Sequence, residues 1–502
     1  MLAIAPLLFL FLSHTLIQPT HAAECMVASN DNGTDDSAHI LQAFDACKEN
    51  SIIHFEQKNY SAFTPVSLVG LKNVTIHLLG NLNLPKNITQ VQQAINVTKN
   101  QPSTFATPWF YFAGEDVTIL GSDDFEWGRF NGFGQHWWDL GNRTLRPQLA
   151  TFNVSNGLLR GLKVIKPIAW GWDLPGQNIR VENHFVDAKP DNATRQSTVV
   201  QFPVQYRWYV SPPASAFLKA FIQLLLLCLR LQGINISGNN ITVDGYVGYN
   251  GDDCISVVNG GRNVLVQNGF CGFSSHGLSI GSLGRNGAEQ TVNDVVFRNW
   301  TMDGAVYGAR FKSWTGGRGS ADNVTWEDIT LVNVSTGIFV TQNYFDQDKG
   351  PRPENTNKTS TKISNFTFKN FTGGLNANWT DGTCISNPCW NFVQGGDSTQ
   401  GIIFDLFPGT ALNLTFEDIN IHPFNKTAND TTVICDPATL ADGEQDTLGF
   451  KCQNGPFVQT DIKPGSGGSG SEGGGNGARG VRSGLGGVLG TVAVVVAVAF
   501  LL

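Results

Sequence analysis

Short alternating apolar segments recur along this chain, and they limit its possible folds more than any other feature. Each has about three to five residues, often follows Asn, and ends at Asn, Gly or Asp. Short strands between turn residues predict an all-β fold, and a spacing of about 20–30 residues is typical of solenoid coils. The segments include Val74–Leu78, Val117–Leu120, Ile179–Val181, Ile241–Val243, Val264–Val266, Val295–Phe297, Val324–Trp326 and Phe366–Phe368.

The pattern predicts a right-handed parallel β-helix, in which each coil stacks on the previous one. Inward apolar residues would form one continuous core, and polar turns would project outward. A hydrophobic content of 41% is enough for a core of this length. A β-sandwich is the alternative that the pattern leaves open. One amphipathic helix is expected near Ser37–Lys48, where it would cap the N-terminal end of the solenoid.

Charge and motif content exclude several classes of protein. The chain has 33 Lys and Arg residues against 41 Asp and Glu, so its net charge is −8. A net negative chain without a basic block is a poor nucleic-acid binder. No CxxC or HExxH pattern occurs, so we expect no metal site and no cofactor. Neither a G-X-Y repeat nor a heptad repeat is present, which excludes collagen and coiled coil.

The N-terminal segment, residues 1–23, is predicted to be a secretory signal. Its apolar run Leu2–Leu12 is too short to span a bilayer, and Thr20-His21-Ala22 offers a small-residue cleavage site. A buried N-terminal helix is the alternative.

The C-terminal region predicts a membrane anchor signal. Residues 465–478 form a Gly/Ser-rich linker that ends in the small residues Asn476-Gly477-Ala478. Residues 479–502 contain a short polar stretch and the apolar tail Val488–Leu502. This order is that of a glycosylphosphatidylinositol (GPI) anchor signal. The alternatives are a tail-type membrane helix and a spurious C-terminus. The globular domain is then expected over residues 24–464.

Cysteines and glycosylation motifs indicate export. The chain has about nineteen Asn-X-Ser/Thr motifs, as is typical of a secreted glycoprotein. Local disulfides are plausible in an oxidising compartment, with the connectivity open. We expect a monomer that acts outside the cell. The near pairs are Cys25 with Cys47, Cys254 with Cys271, Cys384 with Cys389, and Cys435 with Cys452, and Cys228 is left over.

One segment, Val204–Gln232, breaks the repeat pattern. It contains Trp208, Pro212-Pro213 and the apolar run Ala216–Leu231, which is short for a transmembrane helix. The segment is either an amphipathic insertion or translated non-coding sequence.

Groups able to do chemistry are concentrated between Asn250 and Trp314. The adjacent carboxyls Asp252 and Asp253 are followed by His276 and then by Arg310 and Lys312. Each group alone has an ordinary interpretation: a turn, a structural His and a solvated strand face. Their spacings of about 24 and 34 residues match single coils, so the three groups are expected to stack on one face of the solenoid.

Such a site suits hydrolysis of an acidic polysaccharide. Two carboxyl groups can act as general acid and as water-activating base. Two cations can hold an anionic substrate, and Arg310 and Lys312 point the same way on a strand. His276 can orient a carboxylate or relay a proton.

Three motifs together resemble glycoside hydrolase family 28, the polygalacturonases, in its fungal form. They are NGDDC, SHGLSIGSLG and GARFKSW, and the resemblance extends over most of residues 25–455. The resemblance implies a right-handed parallel β-helix that hydrolyses α-1,4-galacturonan with inversion. The segments Tyr307–Trp314 and Phe339–Tyr344 are most similar to exo-acting members, which release galacturonic acid (galacturan 1,4-α-galacturonidases).

The same resemblance implies a role for each site residue. Asp252 matches the proton donor, and Asp253 matches the base-side aspartate. His276 matches the motif histidine. Arg310 and Lys312 match the pair that binds the galacturonate carboxylate at the cleaved bond.

One departure from the family pattern concerns the water-activating acid. The family has an Asn-Thr-Asp motif about twenty residues before the aspartate pair, and this position holds Arg230-Leu231-Gln232 here. Our hypothesis is that Val204–Gln232 reflects a retained intron and a lost short exon. The alternative is a real insertion with Asp253 as the sole base.

Three functions therefore stay open. The first is a secreted exo-polygalacturonase. The second is the same fold with endo cleavage or with another pectic backbone as substrate. The third is a GPI-anchored, catalytically impaired pectin-binding protein. A pectin lyase, which cleaves by elimination, does not suit the Asp pair with His276.

Overall fold

The computed structural model describes residues 22–97, 107–142, 144–191, 232–344, 359–375, 400–423, 431–435 and 448–462. Within them, the strands form one continuous sheet that winds as a right-handed parallel β-helix. The strands pair in parallel with the strand one coil away, for example Ile241 with Val264. The last described pair of strands, which joins Val433 to Gly455, is antiparallel. The predicted solenoid is therefore confirmed, and the alternative of a β-sandwich is wrong.

The described part of the chain contains 25 strands, three α-helices and a short 3-10 helix at Arg285–Gly287. The helices are α1 (Ser37–Ala46), α2 (Ile88–Val97) and α3 (Gln135–Asp139). The strands are β1 (Ala23–Met26), β2 (Glu49–Phe55), β3 (Asn59–Ser61), β4 (Val66–Leu78), β5 (Asn81–Asn83), β6 (Pro108–Leu120), β7 (Arg129–Asn131), β8 (Gln148–Arg160), β9 (Lys163–Ile165), β10 (Trp172–Leu174), β11 (Gln177–Asp187), β12 (Ile234–Ile236), β13 (Asn239–Tyr249), β14 (Ile255–Val257), β15 (Arg262–Gly272), β16 (Leu278–Leu283), β17 (Glu289–Asp303), β18 (Tyr307–Trp314), β19 (Arg318–Val334), β20 (Thr336–Tyr344), β21 (Lys362–Leu375), β22 (Ile402–Asp405), β23 (Ala411–His422), β24 (Thr432–Cys435) and β25 (Gly455–Pro456).

The apolar segments all lie in strands, but many strands are much longer than expected. Val324–Trp326, for example, lies inside the 17-residue strand β19. The reason is the residue before each segment, which turns a corner with a positive φ while the strand pairing continues on both sides. Asn240, with a φ of 57°, is one of these corners, and Asn tolerates this left-handed conformation better than most residues.

The corner asparagines hydrogen-bond from coil to coil, and we call this column the asparagine ladder. The Nδ2 of Asn240 donates to Oδ1 of Asn178 at 2.8 Å, and the Nδ2 of Asn178 donates to Oδ1 of Asn156 at 2.9 Å. The ladder fixes the corner of each coil above the corner of the previous one. Two members of the column, Asn263 and Asn365, donate instead to Asn239 and Asp322, each one residue before the corner of the previous coil. The corner positions of the column are Asn50, Asn73, Asp116, Asn156, Asn178, Asn240, Asn263, Asp294, Asn323, Asn365 and Asn413.

The core runs the length of the solenoid and is built from inward side chains of successive coils. Trp326 is fully buried, and its ring lies 5.1 Å from Phe368 and 5.5 Å from Phe297 between centroids. Both pairs are registered neighbours on parallel strands. Like side chains therefore stack on like across the coils, as expected for a repeat protein whose core is shared between neighbours.

Helix α1 agrees with the prediction, whereas α2 and α3 were not expected. In α1, Ile40 and Phe44 are buried, and Phe44 packs on Phe55 of β2. The other two helices lie in connections between coils. Helix α2 buries Val91 completely, but its ten residues are too few for an apolar period to stand out from the surrounding strand pattern.

Three of the four predicted disulfides join near pairs of cysteines within the described residues. They link Cys25 to Cys47, Cys254 to Cys271, and Cys435 to Cys452. Those three pairings of neighbouring cysteines are therefore confirmed.

The fourth predicted pair, Cys384 and Cys389, lies outside the described residues. The bond between Cys384 and Cys389 is not among the disulfides above, so it stays a prediction. Cys228 also lies outside the described residues, as do the linker, the anchor signal and nearly all of the secretory signal and of Val204–Gln232. Among the described residues, no helix is both long and apolar enough to cross a membrane.

His184 of β11 is a titratable side chain inside the core. It is 2% exposed and lies between the rings of Trp172 and Tyr246 at 6.4 and 5.9 Å. Neither ring nitrogen has a hydrogen-bond partner among the described residues. Burial therefore lowers the pKa of His184 from 6.5 to about 3.

We expect His184 to make the fold sensitive to acid. Below pH 6.5 the unfolded chain takes up a proton at this side chain, whereas the native chain does not until about pH 3. Stability therefore falls by roughly 1.4 kcal/mol per pH unit across this window through His184 alone. In urea unfolding at pH 7, 5 and 4, the free energy of unfolding of the variant His184→Phe should fall less steeply with decreasing pH than that of the wild type. The control His136→Gln, at an exposed position, should keep the wild-type slope, and an equal slope in His184→Phe would contradict this account.

Candidate active site

The register between coils places a row of side chains on the side of the sheet that faces away from the hydrophobic core, which we call the floor column. Four of its members, Ser256, Ser279, Arg310 and Phe339, are themselves buried there. Its neighbours on the same strands, such as Ile255 and Val257 beside Ser256, are fully buried. Because side chains alternate along a strand, the column points outward. In chain order it consists of Asp173, Asn235, Ser256, Ser279, Arg310 and Phe339.

The two adjacent carboxyls lie in a tight turn between β13 and β14. The Nδ2 of Asn250 donates to the carbonyl oxygens of Asp252 and Asp253 at 2.8 and 3.0 Å. The amide of Asp253 donates to Oδ1 of Asp252 at 2.8 Å. Cys254, which follows directly, is bonded to Cys271 on the next coil. The turn is therefore held from both sides before any ligand binds.

Asp253 is a buried carboxylate surrounded by donors from later coils. Its side chain is 4% exposed, and its Oδ2 lies 2.5 Å from Nζ of Lys312. Its Oδ1 accepts a hydrogen bond from Oγ of Ser279 and lies 3.6 Å from Nη1 of Arg310. Both cations are buried as well. These partners take the place of the water that the buried carboxylate has lost.

Asp252 differs from its neighbour because it is partly open to solvent and pairs with a histidine. Its side chain is 18% exposed, and its Oδ1 lies 3.2 Å from Nδ1 of His276, which is 4% exposed. Burial alone would raise the pKa of Asp252. The hydrogen bond and charge of His276, with the charge of Lys312, lower the pKa by more, so the net pKa lies well below its ordinary value.

Aromatic rings form one side of this cluster. The guanidinium of Arg310 lies 4.4 Å from the ring centroid of Tyr307, and the same ring contacts His276 at 5.8 Å. Phe339 stacks on Tyr307 at 5.1 Å. A cation over a ring face is stabilised electrostatically, so these rings hold Arg310 in the orientation in which it faces Asp253.

Lys312 carries opposing influences on its charge. Burial and the charge of Arg310 lower the pKa of Lys312, while Asp253 and Asp252 raise it, and the net direction is downward. The ammonium also lies 6.0 Å from the ring centroid of Tyr344. Its positive charge is thus maintained chiefly by the two carboxylates.

The departure at the Asn-Thr-Asp position is visible next to this cluster. Ile234 is in register with Ile255, so Gln232 lies one coil below Asp253. The amide of Gly233 donates to the carbonyl oxygen of Asp253 at 3.0 Å. The side-chain amide of Gln232 lies 3.4 Å from Oδ1 of Asn235. A neutral amide therefore occupies the place beside the aspartate pair.

All five predicted site residues meet in this one cluster. Sequence reasoning missed Asn250, Ser279 and Tyr307. The first two lie within the motifs that carry the aspartates and His276, at positions a hydrogen-bond argument could have found. Tyr307 is recognisable only when its contacts with His276 and Arg310 are known, because it is one of many aromatic residues that lie in the strands.

The donor set of Asp252, Asp253 and His276 could also hold a metal ion, since one ligand atom of each lies within 4.8 Å of the others. The protein's own cations already occupy this role: Lys312 lies 2.5 Å from Asp253, with Arg310 behind it. A further cation would be repelled by both. The geometry therefore favours an anionic ligand that approaches the cations.

Comparison with known proteins gives the family. Residues 230–398, which include all five site residues, match the model of glycosyl hydrolases family 28. A probable exopolygalacturonase C from Neosartorya fischeri is 34% identical over 450 residues, covering 87% of this chain and 92% of the relative. Its namesake from Aspergillus niger is 32% identical over 453 residues, covering 87% and 93%. The chain belongs to glycosyl hydrolases family 28.

Solved structures share the fold at low identity. The endo-xylogalacturonan hydrolase from Aspergillus tubingensis superimposes with a TM-score of 0.62 at 18% identity, covering 86% of this chain and 100% of that one. The endopolygalacturonase I from Stereum purpureum, solved with two galacturonates, gives 0.54 at 17% identity, covering 83% and 98%. These likenesses support the architecture alone.

The buried ion pair at Asp253 leads to a stability prediction. In Lys312→Met the carboxylate loses its nearer cation and keeps the more distant Arg310, and breaking a buried pair typically costs about 3–5 kcal/mol. We expect a clear fall in the thermal unfolding temperature. The control Lys369→Met removes an exposed pair with Glu417 at 3.0 Å and should change it little. Equal unfolding temperatures for the two variants would contradict the pairing of Lys312 with Asp253.

Proposed function

We propose that this protein is an exo-acting polygalacturonase that hydrolyses α-1,4-galacturonan and releases galacturonic acid. The observation that carries the proposal is the meeting of two carboxyls, a histidine and two buried cations on the outer face of the solenoid. Two groups of a galacturonate unit need protein partners. Its carboxylate suits Arg310 and Lys312, and its glycosidic oxygen needs a proton donor. The relatives named exopolygalacturonase favour the exo mode.

Asp252 is the proton donor in this proposal. In the free protein, one proton shared by His276 and Asp252 lies on the histidine side, because the pKa of Asp252 is low. An incoming galacturonate brings a negative charge, and a like charge raises the pKa of a carboxyl. Substrate binding therefore moves the proton toward Asp252, the more exposed of the two carboxyls, where it can reach the leaving oxygen.

Asp253 acts as the base that activates water. Its negative charge is held by Lys312, Arg310 and Ser279. The substrate carboxylate would compete for the same cations, which frees one oxygen of Asp253 to accept a proton from water. The attack by water then inverts the configuration at the anomeric carbon.

Such an enzyme acts outside the cell on pectin, since its polymer substrate does not enter cells. We further propose that residues 1–23 direct secretion and that residues 479–502 direct attachment of a GPI anchor, which would keep a monomeric enzyme at the cell surface or wall. The order of small residues, spacer and apolar tail supports this.

The first test is product release from polygalacturonate by the full chain secreted from a fungal host. We expect monomeric galacturonate as the first product, and a loss of at least about 10²-fold in Asp253→Asn because general-base catalysis contributes about 10²–10⁴. Chromatography of early products and a reducing-end assay measure both. Oligomers among the early products would show endo cleavage and contradict the exo mode. Unsaturated products would show elimination and contradict hydrolysis.

Catalytic impairment is the second candidate, and Gln232 favours it. If a carboxylate is needed at position 232, Gln232→Asp should raise kcat by up to about 10²–10⁴-fold, the usual contribution of a general base, with little change in KM. The matched control Gln232→Glu places the same charge one methylene further out and should gain less. Binding of polygalacturonate without turnover in both the native chain and Gln232→Asp would identify a binding protein.

A further inference from the structure

Asp173 is an acidic residue of the floor column that the proposed mechanism does not use. It lies in β10 between Trp172 and Leu174, which are buried in the core, so its own side chain points outward. The register runs from Asp173 through Asn235 to Ser256 on β14. Asp173 thus lies two coils from the strand that follows the catalytic aspartates, on the same face.

The side chain of Asp173 has a polar neighbour, Asn235, with which it forms a hydrogen bond. The Nδ2 of Asn235 donates to Oδ1 of Asp173 at 2.7 Å. Both side chains are half-buried. Burial raises the pKa of Asp173 and the hydrogen bond from Asn235 lowers it, with a net rise. No cation is among the causes of this shift. Asp253, in contrast, has Lys312 and Arg310 at 2.5 and 3.6 Å.

The charge of the side chains in and beside the floor column therefore changes from negative to positive along the solenoid. On the side toward the C-terminus lie Arg310 and, beside the column, Lys312, which suit the carboxylate of a galacturonate unit. On the side toward the N-terminus lies Asp173, at about two strand spacings of roughly 4.8 Å from Ser256. Every unit of a galacturonan carries a negative charge. A chain that extended across Asp173 would bring a substrate carboxylate next to a protein carboxylate without a cation between them.

We propose that Asp173, held by Asn235, is a specificity-determining residue that ends the substrate groove on the N-terminal side. Its carboxylate accepts hydrogen bonds from hydroxyl groups of a terminal sugar and repels a further galacturonate unit. The inference rests on the proposed function and adds to it a physical cause for release of single units. It assigns Asp173 no part in proton transfer.

The test compares the products of wild type and Asp173→Asn from long polygalacturonate, at the highest pH at which the wild type is active. The amide keeps the shape of the side chain and removes its charge. We expect the share of dimers and longer fragments among early products to rise about tenfold or more, because like charges at short range shift equilibria by that order. The rate of galacturonate release at saturating substrate should change much less.

Two further variants separate this role from a structural one. Asp173→Ser leaves a hydroxyl like those of Thr151, its register partner on the preceding coil, and of Ser256, two coils later. It should shift the products in the same direction. Asp116→Asn is the matched control: Asp116 also accepts one Asn amide, from Asn156 at 3.0 Å, but lies on the asparagine ladder. It should leave the products unchanged.

The outcomes distinguish this inference from the function on which it depends. A wild type that releases monomer, with unchanged products in both folded Asp173 variants, overturns the inference alone. A large loss of kcat with unchanged products also overturns it, since Asp173 would then serve the chemistry. A folded wild type that releases nothing overturns the proposed function and the inference together.

Discussion

The parallel backbone pairing between successive coils is the constraint on which the whole molecule depends. It fixes which residue of one coil lies above which residue of the next, and the asparagine ladder fixes the corners. Ile255, Leu278 and Ala309 are registered in this way inside the core. The same register carries Ser256, Ser279 and Arg310 on the outer face. A site assembled from residues far apart in the chain is thus a direct consequence of a strand-to-strand register.

The electrostatics of the site follow from this placement. Asp253 is buried, and the cations that make its burial tolerable come from a strand two coils later. A substrate carboxylate would meet the same two cations. Binding therefore competes with an internal ion pair, and the competition changes the state of the carboxyls that do the chemistry. One arrangement thus serves both substrate binding and the control of protonation.

The sequence was sufficient for the fold and for the five residues of the cluster. Period-two segments and coil-length spacing define a solenoid, and Asp252, His276 and Arg310 recur at such spacings. The lengths of the strands were not predictable. In the sequence an asparagine before an apolar segment indicates a strand end, whereas in the structure it adopts a positive φ and the strand pairing continues through it. Helices α2 and α3 are too short for their period to be recognised. Tyr307 acts through contacts with His276 and Arg310, which no local pattern reveals.

The anomeric configuration of the newly formed product tests the central claim most directly. Ligand atoms of Asp252 and Asp253 lie within 4.8 Å of each other, closer than the roughly 6.5–9.5 Å that is usual for inverting pairs. Because Asp253 is held by Lys312, Arg310 and Ser279, the account assigns it the role of base and predicts inversion. Proton NMR during hydrolysis should show the β-anomer of galacturonate first. Initial appearance of the α-anomer would contradict the account and make a carboxylate the nucleophile.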